Sequence, residues 1–366
     1  MHWQTEEKLR RITMSFRNLS PQQMFIRMAE EHVPRFRFSG KSKEDFQKWK
    51  NEALPRVKAT LGEFPQKVQL NPELQVEWLH DGLCKQRWII DVSKHISAVL
   101  QVNFPAEVSN SGRLPGILCW HGHAFGGKEP VMGNDSSTEL RDVIRQHNYD
   151  FGHRMAKEGF VTFGIDWFGF GERNDSGKPN WRSQPESKDW CDVYYLHATM
   201  LGMTPLSIYV AHGMAVVDFI CTLSQVDPER LGVMGLSGGG TLTVWSALFD
   251  PRLKAAEVIC YSDLWVAFGY RDINYCGMEV APGLFNLVDV PDLEGLMAPA
   301  PLLLDIGVYD TCYKVDTAMQ CYSRLKKIYQ AASATDELYL DLFPGEHAWG
   351  GNKSVKFFKK YLGEGY

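Results

Sequence analysis

The sequence predicts an α/β fold: a mostly parallel central sheet with helices on both faces, preceded by an N-terminal helical extension. Three observations predict it. From Pro115 onward, short apolar runs alternate with helix-length segments, a pattern that requires a parallel sheet covered on both sides. Between Leu231 and Thr241 an apolar run passes through Gly235-Leu236-Ser237-Gly238-Gly239 into a helical run, a sharp strand-to-helix turn centred on Ser237. The chain has 366 residues with 44% hydrophobic content, enough for a large core. Although such a length suggests two domains, large α/β sheets often form one.

Taken in order, Ser20-Pro21-Gln22-Gln23 combines an N-cap, a Pro in the first helical turn and a capping-box glutamine, so a helix is expected to about Glu31. Ser42 and Asp45 start a second helix whose face is Phe46, Trp49, Ala53, Val57 and Leu61, with a kink at Pro55 and a stop at Gly62. Residues 1–65 are thus expected to form a helical arm, and 66–366 the main domain. β-like runs at Gln75–Leu79, Gln86–Asp91 and Ala98–Phe104, separated by turn residues, predict an antiparallel meander. Buried strands follow at Ile117–Trp120, Phe160–Ile165, Leu231–Met234, Ala256–Cys260, Leu302–Ile306 and Leu338–Phe343. Helices are expected near Leu140–Glu158, Pro205–Leu223, Gly238–Phe249, Val315–Tyr329 and Ser354–Tyr361. Two insertions rich in Trp, Tyr and Pro, 172–203 and 262–292, read as irregular. Both follow strand ends, where binding loops of such sheets gather.

A net charge of −5 with both signs interspersed argues against nucleic acid or a membrane surface as partner. The segment Met1 to Arg17 lacks the layout of a signal peptide, and Leu206–Leu223 is broken by His212 and Asp218, too polar to span a bilayer. Eight cysteines without C-x-x-C spacing suit reduced thiols. A cytoplasmic protein acting on a small molecule is expected, without cofactor or metal; a homo-oligomer is left open.

The turn at Ser237 fits the G-x-S-x-G nucleophile elbow, so tight that the residues two before and two after the serine must be nearly without side chain. Gly235 and Gly239 meet that need. A serine hydroxyl is a poor nucleophile at neutral pH and requires a histidine base oriented by an acid. His347 is the only histidine after Ser237, which makes it the sole downstream base. For the acid, Asp310 lies just past the Leu302–Ile306 strand, whereas Asp305 lies within it and reads as a structural hydrogen-bonding residue; Asp316 is more remote. Oxyanion donors are expected from the N–H of Gly238 and from His123 or Ala124 in the loop after Trp120. Reading His121 and His123 as an H-x-H metal pair lacks a partner at recognisable spacing. In Asp166–Arg173, Asp166 and Arg173 are placed to pair and hold the loop. Trp167, Phe168 and Trp349 are the expected substrate contacts. Trp181, Trp190, Tyr194, Tyr195, Trp265 and Tyr275 are further aromatics whose facing the sequence leaves open.

The motifs H-G-H-x-x-G-G-K (from His121), D-x-x-G-F-G-E-R (from Asp166), V-D-P-E-R-L-G-V-M-G-L-S-G-G-G (from Val226), G-x-x-D (from Gly307) and E-H-A (from Glu346) resemble the α/β-hydrolase superfamily. More narrowly they resemble its acetyl-xylan-esterase-like and dienelactone-hydrolase-related branch, over about Leu70 to the C-terminus. The resemblance implies Ser237 as nucleophile, Asp310 as acid, His347 as base, and oxyanion donors near His123 and Gly238. Dienelactone hydrolases carry cysteine at the elbow, and related esterases often read A-P-R-P where this chain has Ala298-Pro299-Ala300-Pro301. The expected activity is therefore that of a serine carboxylester hydrolase cleaving a short-chain ester such as an acetyl ester. Peptidase, amidase or C–C hydrolase chemistry, or a non-catalytic binding protein on this fold, are the alternatives.

Overall fold

The computed structural model describes residues 17–108, 112–175 and 190–363. Strands β1 (Glu73–His80), β2 (Leu83–Ser93), β3 (Ile96–Pro105), β4 (Leu114–Trp120), β5 (Val161–Ile165), β6 (Val226–Leu236), β7 (Leu253–Ile259), β8 (Leu302–Gly307) and β9 (Leu338–Phe343) build one sheet in the order β1-β2-β3-β5-β4-β6-β7-β8-β9. The meander β1–β3 is antiparallel and joins β5 antiparallel. From β5 to β9 every pairing is parallel.

Helices α1 (Pro21–Glu31), α2 (Lys43–Ala59), α3 (Lys128–Val131), α4 (Thr138–His147), α5 (Phe151–Lys157), α6 (Trp190–Met200), α7 (Pro205–Ile220), α8 (Gly238–Phe249), α9 (Leu284–Leu287), α10 (Val290–Gly295), α11 (Val315–Ala331) and α12 (Ser354–Leu362) surround the sheet. Side chains of successive strand residues point to opposite faces, and the core divides accordingly. Leu118, Trp120, Val233, Leu302 and Leu304 pack into one cluster; Ile117, Cys119, Met234 and Leu303 pack into another. Helix α2 buries Phe46, Ala53 and Val57 in the first cluster. Lys50 and Trp49 fix it through hydrogen bonds to the carbonyls of Ala298 and Phe36.

Two expectations are corrected. The single helical run over Leu140–Glu158 is two helices, because Asn148 caps α4 in the left-handed conformation at φ 50°, where Asn is tolerated. The insertions are not wholly irregular. α6 occupies the described end of the first, and the second carries a wide helical turn at Trp265–Arg271, a tight one at Gly277–Glu279, then α9 and α10. The capping box of Asp289 and Asp292 starts α10. Trp181 lies outside the described residues.

Strand order brings the relevant loops together. β4 lies beside β6 with Trp120 opposite Gly235, so the His121–Gly127 loop leaves the sheet next to Ser237. β8 lies beside β9 with Gly307 opposite Phe343, which places Asp310 and His347 on adjacent loops. Parallel strands all end on one edge, and that edge collects the polar side chains.

Candidate active site

Ser237 joins β6 to α8 with φ 60° and ψ −122°, a backbone conformation that costs non-glycine residues energy. The neighbouring chain over-determines it. The Ser237 N–H donates to the Ile259 carbonyl at 2.8 Å and Gly240 N–H to the Ser237 carbonyl at 2.7 Å. The glycines are steric necessities: a Cβ on Gly235 would meet the Gly239 carbonyl oxygen at 2.3 Å, and one on Gly239 would meet that of Trp120 at 2.3 Å. Gly238 opens α8, so its N–H has no acceptor within the helix and lies at the positive end of the dipole.

The loop after β4 closes on the elbow from the other side. A Cβ on Gly122 would sit 2.5 Å from the Leu236 carbonyl oxygen and 3.0 Å from Ser237 Cβ. We therefore expect Gly122→Ala to shift the elbow and lower kcat/KM by about 100-fold, with far-UV circular dichroism unchanged. Wild-type turnover in that variant would show that the contact does not position Ser237.

His347 Nδ1 donates to Asp310 Oδ2 at 2.8 Å. Asp310 Oδ1 accepts the N–H groups of Cys312 at 2.7 Å and Tyr313 at 3.0 Å. Burial pushes the Asp310 carboxyl up, but the hydrogen bond and charge of His347 and the two N–H groups outweigh it and hold the acid below its ordinary value. The His347 ring stacks on Tyr313, with centroids 5.8 Å apart and planes 14° apart. The break after α4 clamps the histidine loop: His147 Nδ1 donates to the His347 carbonyl at 2.6 Å, and Asn148 donates to that of Trp349 at 2.7 Å.

Ser237 and His347 line one cavity of about 350 Å³, together with His123, Ala124, Tyr275 and Tyr313. Other wall residues were not foreseen. His147 comes from the last turn of α4 and Tyr149 from the break after it, and Ile273, Asn274, Cys276 and Glu279 from the second insertion. Ile273 holds φ 53°, an outlier for a β-branched residue. The insertion itself was the available signal.

Trp167, Phe168 and Trp349 are not among the residues lining the cavity, because Trp167 and Trp349 are buried and the half-buried Phe168 is packed against other rings. Trp167 is fully buried behind the elbow, where a Cβ on Gly238 would strike its ring at 2.4 Å. Phe168 packs on Tyr194 and Tyr209 with Arg173 over its face. Trp349 sits in the core and donates to Glu257 and Ser354 at 3.1 and 3.0 Å. Of Trp190, Tyr194, Tyr195, Trp265 and Tyr275, whose facing the sequence left open, Tyr275 alone lines the cavity. Asp166 and Arg173 attract each other, as expected, but their contact runs through the Asp166 backbone carbonyl and not its carboxylate. The Asp166 carboxylate binds the backbone N–H and ammonium of Lys128, at 2.7 and 2.9 Å, whereas Arg173 donates to the Asp166 carbonyl and to His212. His121 is turned inward; its Nε2 accepts the Trp167 N–H at 3.2 Å, and burial lowers its pKa to about 4.

Beneath the histidine loop, Asp305 Oδ2 accepts the N–H groups of Gly350 and Gly351 at 2.9 and 3.2 Å. Glu257 accepts from Trp349 and Ser354 in the same region. Burial raises Glu257 from 4.5 to about 8, the hydrogen bonds opposing and Asp341 adding to the rise. Between those values the folded state holds a proton that the unfolded chain has released, so stability falls as pH rises through this window. Glu257→Gln should gain a few degrees in melting temperature relative to wild type at pH 8 but not at pH 5; a pH-independent difference would contradict this.

Among the described residues, two clusters bring three metal-ligating atoms within 4.8 Å of one another: Cys260, Asp310 and His347, and His123, Cys191 and Cys276.

The family model of the Abhydrolase family matches residues 11–329. "Putative hydrolase YtaP" of Bacillus subtilis (strain 168) is 24% identical over 308 residues, covering 82% of this chain and 96% of its own length. A crystal structure of a "putative acetyl xylan esterase" from Bacteroides fragilis NCTC 9343 superposes with a TM-score of 0.70 at 20% identity, covering 91% of this chain and 84% of that one. A glucuronoyl esterase from Solibacter usitatus superposes with a TM-score of 0.65 at 15% identity, covering 91% and 100%. These likenesses establish the α/β-hydrolase fold, and the match over most of its length makes the chain a member of the Abhydrolase family.

Proposed function

We propose that the protein is a serine carboxylester hydrolase for short acyl esters, working through an acyl-enzyme. The observation that carries this reading is the shared cavity: Ser237 on its strained elbow and His347, held by Asp310 at 2.8 Å, both line it. In the reaction His347 Nε2 takes the Ser237 proton as Oγ attacks the ester carbonyl. The tetrahedral oxyanion is held by the N–H groups of Gly238 and of His123 or Ala124. His347 then protonates the leaving alcohol, and water repeats the sequence to release the acid. Asp310 stays ionised, fixing the tautomer that presents Nε2 as a base and stabilising the imidazolium when it forms.

A volume of about 350 Å³ lies at the small end for ligand pockets, which favours an acetyl-sized acyl group over a lipid chain. The acetyl xylan and glucuronoyl esterases among the structural neighbours agree with a small ester of a sugar or similar alcohol. On this reading residues 66–366 form the catalytic domain and 1–65 a packing arm. Among the described residues no helix is long and apolar enough to cross a membrane, and no disulfide is present; we place the protein in the cytoplasm. The test is hydrolysis of p-nitrophenyl esters from acetyl to octanoyl. Activity that peaks at acetyl or propionyl is expected. Preference for octanoyl would overturn the short-acyl assignment, and no ester hydrolysis at all would overturn the esterase reading.

A further inference from the structure

We propose that the cavity beside Ser237 contains a binding site for a thiophilic divalent cation, zinc by its donor set, formed by His123 Nε2, Cys191 Sγ and Cys276 Sγ with Glu279 as the fourth ligand. The site goes beyond hydrolysis and does not depend on it. Its donors come from separate parts of the chain: His123 from the loop after β4, Cys191 from the first turn of α6, Cys276 and Glu279 from the second insertion. Their convergence is close. His123 Nε2 lies 3.1 Å from Cys276 Sγ, and the His123, Cys191 and Cys276 donor atoms all fall within 4.8 Å of one another. Glu279 Oε2 lies 3.8 Å from His123 Nε2. Zn–N and Zn–S bonds of 2.0–2.3 Å in a tetrahedron put ligand atoms about 3.3–3.8 Å apart, so His123, Cys191 and Cys276 need only small side-chain adjustments, and Glu279, which lies outside that set of mutually close donors, turns further to complete it.

The chemistry of the donors selects the ion. Two sulfurs and an imidazole disfavour magnesium and calcium, which take oxygen ligands, and suit zinc. The surroundings hold the donors in place. Glu279 is buried, and its Oε1 accepts the Thr241 hydroxyl at 2.9 Å from α8. The His123 ring is packed edge-on against Trp167 and Phe170, with centroids 4.9 and 5.3 Å away. On binding, the two thiols release their protons to solvent and His123 coordinates through its Nε2 lone pair. The absence of C-x-x-C spacing hid this site from the sequence, and His121, the other histidine of the H-x-H pair, takes no part.

The experiment is zinc titration of the full chain by isothermal calorimetry in a non-thiol reductant, which keeps both cysteines reduced, with cobalt as a spectroscopic substitute. The expected result is one zinc per chain and a cobalt spectrum with thiolate-to-metal charge transfer and tetrahedral bands. Cys276→Ser and Cys191→Ser should each weaken binding by more than about 100-fold, beyond the loss typical of an outer-sphere partner. Each variant is first shown to melt within a few degrees of wild type without metal. Cys276, at the cavity wall, serves if the more buried Cys191 variant fails to fold. His347→Gln should bind zinc as wild type does. Absence of stoichiometric binding, binding that survives Cys276→Ser, or binding lost in His347→Gln, which would place the ion at Cys260, Asp310 and His347, would each overturn the proposal. Because the readout is binding, a failure here leaves the esterase reading standing, and the reverse holds as well.

Discussion

Ser237→Ala is expected to lower kcat on p-nitrophenyl acetate by about 10⁴-fold or more while leaving KM within a few-fold of wild type. The size follows from the proposed role: if Ser237 is the nucleophile of a serine triad, removing it removes the acyl-enzyme route and leaves only the residual rate supported by the oxyanion donors and binding. The fold should not suffer. Ser237 holds its place through backbone hydrogen bonds to Ile259 and Gly240, which alanine keeps, and alanine pays a similar backbone cost at φ 60°. Loss of activity with an unchanged melting temperature therefore reports chemistry. A variant retaining a tenth of wild-type turnover would remove Ser237 from the mechanism.

Asp310→Asn should cost roughly 10³–10⁴ in kcat, by a different route. The asparagine amide can still reach His347 Nδ1, but it can present an N–H where the carboxylate offered an acceptor. The histidine is then fixed in the tautomer that cannot take the serine proton, and its imidazolium loses a negative neighbour. Stability should respond to acid as well. The Asp310 carboxyl is held below its ordinary value, so its contribution is present above the unfolded carboxyl pKa and is lost as pH falls through the folded one. The variant should therefore lose the part of the acid-side decline in stability that wild type owes to this group. An Asp305→Asn variant separates the two aspartates. Asp305 binds Gly350 and Gly351, so its loss should loosen the histidine loop and act on stability and activity together, without the selective kcat effect of Asp310→Asn.

What could be read from the chain was whatever a local steric or topological rule imposes. The elbow was legible because Gly235 and Gly239 have backbone oxygens 2.3 Å from where a Cβ would stand, so the motif is itself a record of the packing. Strand alternation gave the parallel sheet, and the single downstream histidine pointed to the loop where His347 meets Asp310. The direction in which a large aromatic points carries no such local signature. Trp167, Phe168 and Trp349 lie beside the motifs in sequence, yet Trp167 and Trp349 are buried and Phe168 packs on Tyr194 and Tyr209, while Tyr275, Tyr149 and Tyr313 arrive at the cavity from elsewhere. Helix α6 was missed because its apolar residues are scattered around the axis and only Cys191 and Ala198 are buried, so no helical stripe marks it. The cluster of His123, Cys191 and Cys276 depends on loops far apart in the chain meeting in space, which spacing rules do not detect.

Passage of an acyl group through Ser237 can be seen by intact-protein mass spectrometry after rapid quenching with p-nitrophenyl acetate. The expected result is a transient species heavier than the free protein by one acetyl group, located by peptide mapping to Ser237 and absent in Ser237→Ala. Turnover with the acetyl group found on another residue, or a Ser237→Ala protein that still accumulates the adduct and releases acetate, would contradict it.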